Sequence, residues 1–307
     1  MNLELSGDQA ALVSAAESLT SRYAEIPASR RRDYSYYAHD LGQALISSGY
    51  LDAACTEGMG PLEAMLVIET VSRLPATVEV GASALVGPML MGLDFPRPLA
   101  IVSGDLAKAH RYLSVARGAL IELADDLVLI AIEPGDVIDV ETIFAYPYGR
   151  FRTPPDLSRA RSLGSEALAA FRQWRRIALA AEATGAMRSA VDFTVDYVKS
   201  RQMFGHPLGE FQAVQHRLAQ CHQISRAAYY MTVKAAWSRD PLDAMLAATY
   251  LQQHISKVWF DLHQFNGAMG ITTEHKLHFW TYRLRALQGE LGGANQSALD
   301  AADLLWP

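Results

Sequence analysis

An arginine beside a sharp turn is the first candidate for chemistry in this 307-residue sequence. Apolar residues at helical spacing precede Arg201, and three helix-breaking residues, Gly205, Pro207 and Gly209, follow it closely. This pattern predicts that one helix ends at Arg201 and that another begins near Phe211. A cation in the last turn suits the helix dipole, and the guanidinium is also free to bind a phosphate or carboxylate of another molecule. The residues alone favour a plain helix–turn–helix corner in an all-α domain.

A second break in a helical pattern lies further along the chain. The helix predicted to start at Asp240-Pro241 continues to about Phe265, and the run Asn266-Gly267-Ala268-Met269-Gly270 interrupts it. The nine histidines of the chain are spread over different helical turns, so the sequence predicts no metal-ligand set.

Composition excludes several classes of protein. The net charge of −6 argues against a nucleic-acid partner, because no strong positive field is available. Cys55 and Cys221 are the two cysteines and form no CxxC pair, so a disulfide framework or a cysteine-rich zinc site is not expected. The sequence contains no signal-peptide pattern and no apolar run of about 18 residues, which predicts a soluble cytoplasmic protein.

The order of elements predicts a mainly α protein with a small β region. Residues 1–97 are expected to form an N-terminal helical domain, 98–157 a small β-domain and 158–307 a bundle of four long helices. Ser6-Gly7-Asp8-Gln9 is typical of a capping box, and Asp125-Asp126 is expected to connect two strands as a hairpin. Gly185 interrupts a long helical pattern, at a cost of about 1 kcal/mol unless close packing requires it.

Two stretches together resemble the acyl-CoA dehydrogenase family. The run from Tyr197 to His216 looks like the signature that enters the C-terminal bundle of these enzymes. The run from His263 to His275 is similar to the Gln-x-x-Gly-Gly-x-Gly loop that precedes their next helix. The resemblance covers the C-terminal domain well and the N-terminal domain loosely. It implies a flavoprotein that removes a proton from Cα of an acyl-CoA thioester and passes a hydride from Cβ to N5 of FAD.

In this family the FAD lies at a subunit interface. The resemblance therefore implies that this chain reaches the diphosphate and adenosine of a cofactor held mainly by its neighbour. The residues at the matching positions are Arg201, Phe204, Gln212, Gln264, Asn266, Gly267 and Ala268. Open backbone at a glycine-rich break can approach a diphosphate closely.

The sequence also departs from the family. The middle domain has about half the usual length and lacks the runs that hold the flavin ring, and the second glycine of the loop is Ala268. Leu291 and Arg175 stand at the two positions where the family places its catalytic glutamate. Glu290, one residue from the first position, is the first alternative base to test, and Glu182 is the second.

These departures predict a degenerate subunit without a catalytic residue of its own. It is expected to work in an α2β2 assembly with a homologous full-length acyl-CoA dehydrogenase subunit, which supplies the catalytic glutamate and binds most of the acyl-CoA. A cholesterol- or steroid-derived thioester is the favoured substrate by analogy with short subunits of this family, and electron-transfer flavoprotein is a possible electron acceptor. The alternatives are a self-sufficient enzyme with Glu290 as base and a non-enzymatic helical scaffold of the same fold.

Overall fold

The N-terminal region is helical, as predicted. The computed structural model describes residues 4–203 and 205–306. The helices of the region are α1 (Gly7–Thr20), α2 (His39–Ser47), α3 (Pro61–Ser72) and a π-helical turn (Ala82–Val86) that continues into α4 (Gly87–Met91). The predicted capping box is confirmed, because Ser6 Oγ accepts the Gln9 N–H at 3.2 Å and Gln9 Oε1 accepts the Ser6 N–H at 2.9 Å.

A local turn at Asp33 precedes helix α2. The Asp33 carboxylate accepts hydrogen bonds from the backbone and the hydroxyl of Ser35, at 3.0 and 2.7 Å. This local turn offers the backbone an alternative to the helix, and the regular helix starts only at His39.

The middle region contains two small sheets. Its strands are β1 (Leu99–Ser103), β2 (His110–Arg111), β3 (Gly118–Glu122), β4 (Leu127–Ala131), β5 (Val137–Val140), β6 (Tyr148–Phe151) and β7 (Arg161–Ser162). One sheet has the order β1-β3-β4-β7, with β1 parallel to β3, and the other has the order β2-β6-β5. The hairpin predicted at Asp125-Asp126 is confirmed by the antiparallel pairing of β3 with β4.

Five helices make up the C-terminal region. They are α5 (Ser165–Ser200), α6 (Gln212–Ser238), α7 (Pro241–Asn266), α8 (Leu277–Gly289) and α9 (Gly293–Leu305), and a short hairpin of β8 (Gln202–Met203) and β9 (His206–Pro207) joins α5 to α6. As predicted, Asp240 caps α7 by accepting the Leu242 N–H at 2.9 Å. None of the helices in the described part of the chain is long and apolar enough to cross a bilayer.

The N-terminal helices pack directly on the bundle. Gly185 of α5 lies against the end of α3, where an added Cβ would come within 2.2 Å of the Glu69 carbonyl oxygen. Close packing therefore requires this glycine. Two side chains of α8 complete the contact, since the Trp280 indole N–H donates to the Arg73 carbonyl at 2.8 Å and Arg283 donates to the Leu74 carbonyl.

Candidate functional site

One end of the bundle gathers the two stretches that the sequence singled out. Thr194 of α5 accepts a hydrogen bond at 2.9 Å from the side-chain amide of Asn266, the last residue of α7. Near the start of α6, Arg217 pairs with Asp261 of α7 and lies over the Phe265 ring, 4.9 Å from its centroid. The end of α5, the start of α6 and the end of α7 are therefore neighbours.

The turn after α5 presents polar side chains to solvent. Arg201 and Gln212 are both exposed, and the Arg201 carbonyl accepts the Leu208 N–H at 2.7 Å, which fixes the hairpin between them. Within residues 4–203 and 205–306, no carboxylate forms an ion pair with Arg201. Phe204, the third predicted residue of this turn, lies outside the described residues.

The loop after α7 is also open. Gln264, Gly267 and Ala268 are exposed, and Gly267 adopts a φ of 56°, which favours glycine. Asn266, in contrast, is buried and turned inward, with its amide bonded to Thr194 and to the Leu262 carbonyl at 2.8 Å. The structure thus brings the predicted residues that it describes to one end of the bundle. Among them, the Asn266 side chain is an internal contact between α7 and α5.

A separate cleft of about 1070 Å³ lies between the middle sheets and the C-terminal helices. Its walls carry many charged side chains, from both the sheets and the helices: Lys108, Arg111, Glu122, Arg172, Arg175, Arg176, Glu182, Glu290 and Asp300. Apolar side chains such as Leu99, Ile101 and Leu179 line the rest of the cleft, so its walls are mixed in character.

Both alternative base candidates lie in this cleft and share one partner. Arg111 of β2 donates to Glu290 at 2.8 Å through Nε and to Glu182 through its terminal nitrogens. Burial acts to raise the pKa of Glu290, but the guanidinium groups of Arg111 and Arg175 hold it below its usual value. Burial raises the pKa of Glu182, with Arg111 acting in the opposite direction. Glu290 is therefore an ionised carboxylate that is paired with Arg111.

A third buried carboxyl group borders the cleft. Glu79 accepts hydrogen bonds from the Ala82 N–H at 2.7 Å, the Leu99 N–H at 3.3 Å and the Ser83 hydroxyl. Burial raises the pKa of Glu79 to about 7, and the nearby Glu182 charge acts in the same direction. Nothing in the sequence distinguished Glu79 or Arg111, because the first precedes an irregular π-turn and the second lies on a two-residue strand.

The two positions that the resemblance assigns to a catalytic glutamate carry other interactions. Arg175 donates to the Ser103 hydroxyl at 2.6 Å and lies 3.4 Å from Glu122. Leu291 adopts a left-handed conformation with φ 59° and packs against the core after α8. The position of Arg175 therefore holds a fixed cation, and the position of Leu291 holds an apolar side chain.

Three histidines lie beneath the loop that follows α7. His263 bonds to the Thr281 hydroxyl at 3.0 Å, and His278 Nδ1 lies 2.7 Å from the His275 carbonyl. His275 is buried against the rings of Phe193 and Tyr197. Burial lowers the pKa of all three imidazoles, and repulsion from the neighbouring histidines adds to the effect for His263 and His275.

Acidification is therefore expected to destabilise the chain through these histidines. Below pH of about 6.5 the unfolded imidazoles bind protons that the folded ones resist, so stability falls as the pH falls, by at most about 1.4 kcal/mol per pH unit for each histidine. Glu79 acts oppositely, because its pKa is raised on folding, and folding becomes more favourable as the pH falls below about 7.

The histidine contribution is isolated by comparing the native chain with His275→Phe, which suits the aromatic surroundings of that ring. We expect the drop in Tm between pH 7.5 and 5.5 to be smaller in the variant, because the Glu79 contribution is common to both. Equal drops in the two proteins would contradict a role for His275.

Residues 164–301 match the family model described as the C-terminal domain of acyl-CoA dehydrogenases. This part of the chain is thus an acyl-CoA dehydrogenase-type C-terminal domain, as the two stretches predicted.

Over most of its length, the chain is also similar to an acyl-CoA dehydrogenase and to chains of two solved structures. It is 26% identical over 254 residues to the acyl-CoA dehydrogenase IpdE2 of Mycobacterium tuberculosis, covering 82% of this chain and 70% of that protein. It superimposes on a chain of the ChsE4-ChsE5 complex from Mycobacterium tuberculosis with a TM-score of 0.81 at 19% identity, over 99% of both chains. A variant of the Tcur3481-Tcur3483 steroid acyl-CoA dehydrogenase gives a TM-score of 0.77 at 22% identity, over 97% of both chains.

Proposed function

We propose that the chain is one subunit of a hetero-oligomeric acyl-CoA dehydrogenase, in which it completes an FAD site across the interface with a homologous, fuller subunit. The partner supplies the catalytic glutamate and binds most of the substrate. The observation that carries this proposal is the contrast between an exposed corner at Arg201, which has no ion pair among the described residues, and an internal cleft whose candidate bases are paired with Arg111.

Arg201 is suited to an anion from another molecule. The other cations near this corner are paired within the chain, Lys199 with Asp196 and Arg217 with Asp261. Arg201 is exposed and has no such ion pair among the described residues. Its fork of N–H donors matches the oxygens of a phosphate, and the exposed Gln212 at the start of α6 adds amide donors and an acceptor.

The loop after α7 would contribute backbone groups. A Cβ placed on Gly267 would meet no atom within 4 Å, so this turn stands clear of the protein and a ligand can approach it closely. Gln264 and Ala268 flank it on the surface, and Asn266 holds the loop against α5 from beneath. The residues present fit the diphosphate and adenosine part of FAD.

The charged inner end of the internal cleft suits neither the flavin ring nor an acyl chain. There Arg111 contacts both Glu182 and Glu290. The partner would therefore hold the ring, whose chemistry is to accept the hydride in the α,β-desaturation of the thioester. A steroid-derived CoA thioester is the proposed substrate class, because one similar solved structure is a steroid acyl-CoA dehydrogenase. The ChsE4-ChsE5 complex supports a heteromeric partner. An α2β2 assembly and electron-transfer flavoprotein as the electron acceptor are further parts of the proposal.

Co-expression with a full-length homologue tests the proposal. We expect the lone chain to purify without a flavin absorption band, and the pair to form a stable complex with bound FAD that oxidises an acyl-CoA. A stoichiometric flavin band in the lone chain would contradict dependence on a partner. Absence of flavin in both preparations would favour a helical scaffold that has kept the fold alone.

Glu290→Gln tests the alternative of a self-sufficient enzyme. The amide keeps the shape of the side chain and removes its charge, so a catalytic base at this position would lose about 100- to 10,000-fold in turnover. We expect turnover of the complex to change by less than about threefold, because Glu290 is engaged with Arg111. Loss of activity in a variant that still assembles and holds flavin would restore Glu290 as the base.

A further inference from the structure

The inner end of the cleft is occupied by the side chain of Arg111. Its guanidinium carbon lies 4.9 Å from the Tyr112 ring centroid and 4.7 Å from that of Tyr146. Its nitrogens donate to the carboxylates of Glu182 and Glu290. Two aromatic rings and two carboxylates thus surround one cation in a largely buried site.

These contacts join segments that are far apart in the chain. Glu182 is 71 residues from Arg111 on α5, and Glu290 is 179 residues away, at the end of α8. Tyr112, next to Arg111, donates its hydroxyl to the Val78 carbonyl at 2.9 Å. The cluster therefore links the N-terminal region, the middle sheets and the C-terminal helices at one point.

Removing Arg111 would leave two carboxylates facing each other in a confined space. An anion or an acyl carbonyl could not replace the guanidinium there, because both would repel Glu182 and Glu290. A small cation with several N–H donors has the chemistry that these carboxylates accept.

We infer that Arg111 is an internal ligand of this chain's own cleft: its guanidinium closes the inner end against acyl substrates and locks the middle sheets onto the C-terminal helices. This inference goes beyond the proposed function. It concerns the chain by itself, and its test requires no flavin.

The test is chemical rescue of Arg111→Ala in the full chain. We expect the variant to unfold about 10 °C below the native chain, because the buried Glu182 and the partly buried Glu290 lose their shared partner. Methylguanidinium at millimolar concentration is expected to raise the Tm of the variant, whereas the same concentration of sodium chloride is not. The native chain, whose site is filled, should gain nothing from methylguanidinium.

Arg172→Ala is the matched control. Arg172 pairs with Glu122 at 2.8 Å in the same cleft, but its side chain is half exposed. Its loss should lower the Tm by less than about 3 °C, with no response to methylguanidinium. A Tm of Arg111→Ala equal to that of the native chain would overturn the inference, as would a folded variant that does not respond to methylguanidinium.

If the alanine variant does not fold, Arg111→Lys is the variant that tests the inference. A single ammonium group cannot span both carboxylates, so we expect a smaller fall in Tm and faster amide hydrogen exchange at the end of α8. Native Tm and native exchange in Arg111→Lys would show that the bridging geometry has no role.

Discussion

Replacing Arg201 by alanine is expected to lower the affinity of the assembled complex for FAD by about 100-fold. The loss corresponds to about 2.7 kcal/mol, within the range of charge-assisted hydrogen bonds to a phosphate. Because Arg201 is exposed and makes no ion pair among the described residues, the substitution should leave the fold intact. The measurement is a fluorescence titration of the apo-complex with FAD, supported by the flavin-to-protein ratio after gel filtration.

Two further variants distinguish the guanidinium fork from charge alone. Arg201→Lys keeps the charge and loses the paired donors, so its affinity should lie between those of the native complex and the alanine variant. Arg150→Ala removes an exposed arginine of β6, outside the bundle, and should leave FAD binding unchanged. Native affinity in Arg201→Ala would contradict the assigned role of Arg201, although the complex could still bind flavin through other groups.

Gly185→Val is expected to destabilise the chain by about 3 kcal/mol or more. An added Cβ would lie 2.2 Å from the Glu69 carbonyl oxygen and 2.9 Å from Ser72 Cβ, so α3 and α5 would have to separate. The obstructing atom is backbone and cannot rotate away. Urea unfolding followed by circular dichroism measures the loss, and alanine at the same position should cost less because it carries fewer atoms.

Gly7→Ala is the control for the effect of removing a glycine. Gly7 begins α1, and an added Cβ there would meet nothing within 4 Å. Its replacement should be neutral or slightly stabilising, because alanine favours the helix. A Gly185→Val variant as stable as the native chain would show that the two helices can move apart without cost.

The long helices and the bundle corner were predictable because their causes are local. The capping box at Ser6, the Asp240 cap and the break after Phe265 each depend on residues within one turn. The hairpin at Asp125-Asp126 likewise follows from two short apolar runs. The residues of the corner could be named for the same reason, since the chain turns there within a few positions.

The charged cleft was not predictable, because its contacts are distant in sequence. Arg111 meets Glu182 and Glu290 only after the middle sheets pack on the helices. Strands β2 and β6 escaped prediction because β2 has two residues and β6 contains Gly149, a residue that weakens a strand pattern. At Gly149 a Cβ would come within 2.6 Å of the Ser114 nitrogen, a restriction that only the tertiary structure reveals.

The contact between α8 and the end of α3 bears on how the chain is made. The carbonyls of Arg73 and Leu74 receive their hydrogen bonds from Trp280 and Arg283, more than 200 residues later. While the ribosome is still adding the preceding residues, the N-terminal helices lack this last layer and keep apolar surface in water. The contact of α8 with the end of α3 is therefore a late event of synthesis, and chains that stop before α8 should be prone to aggregation and proteolysis.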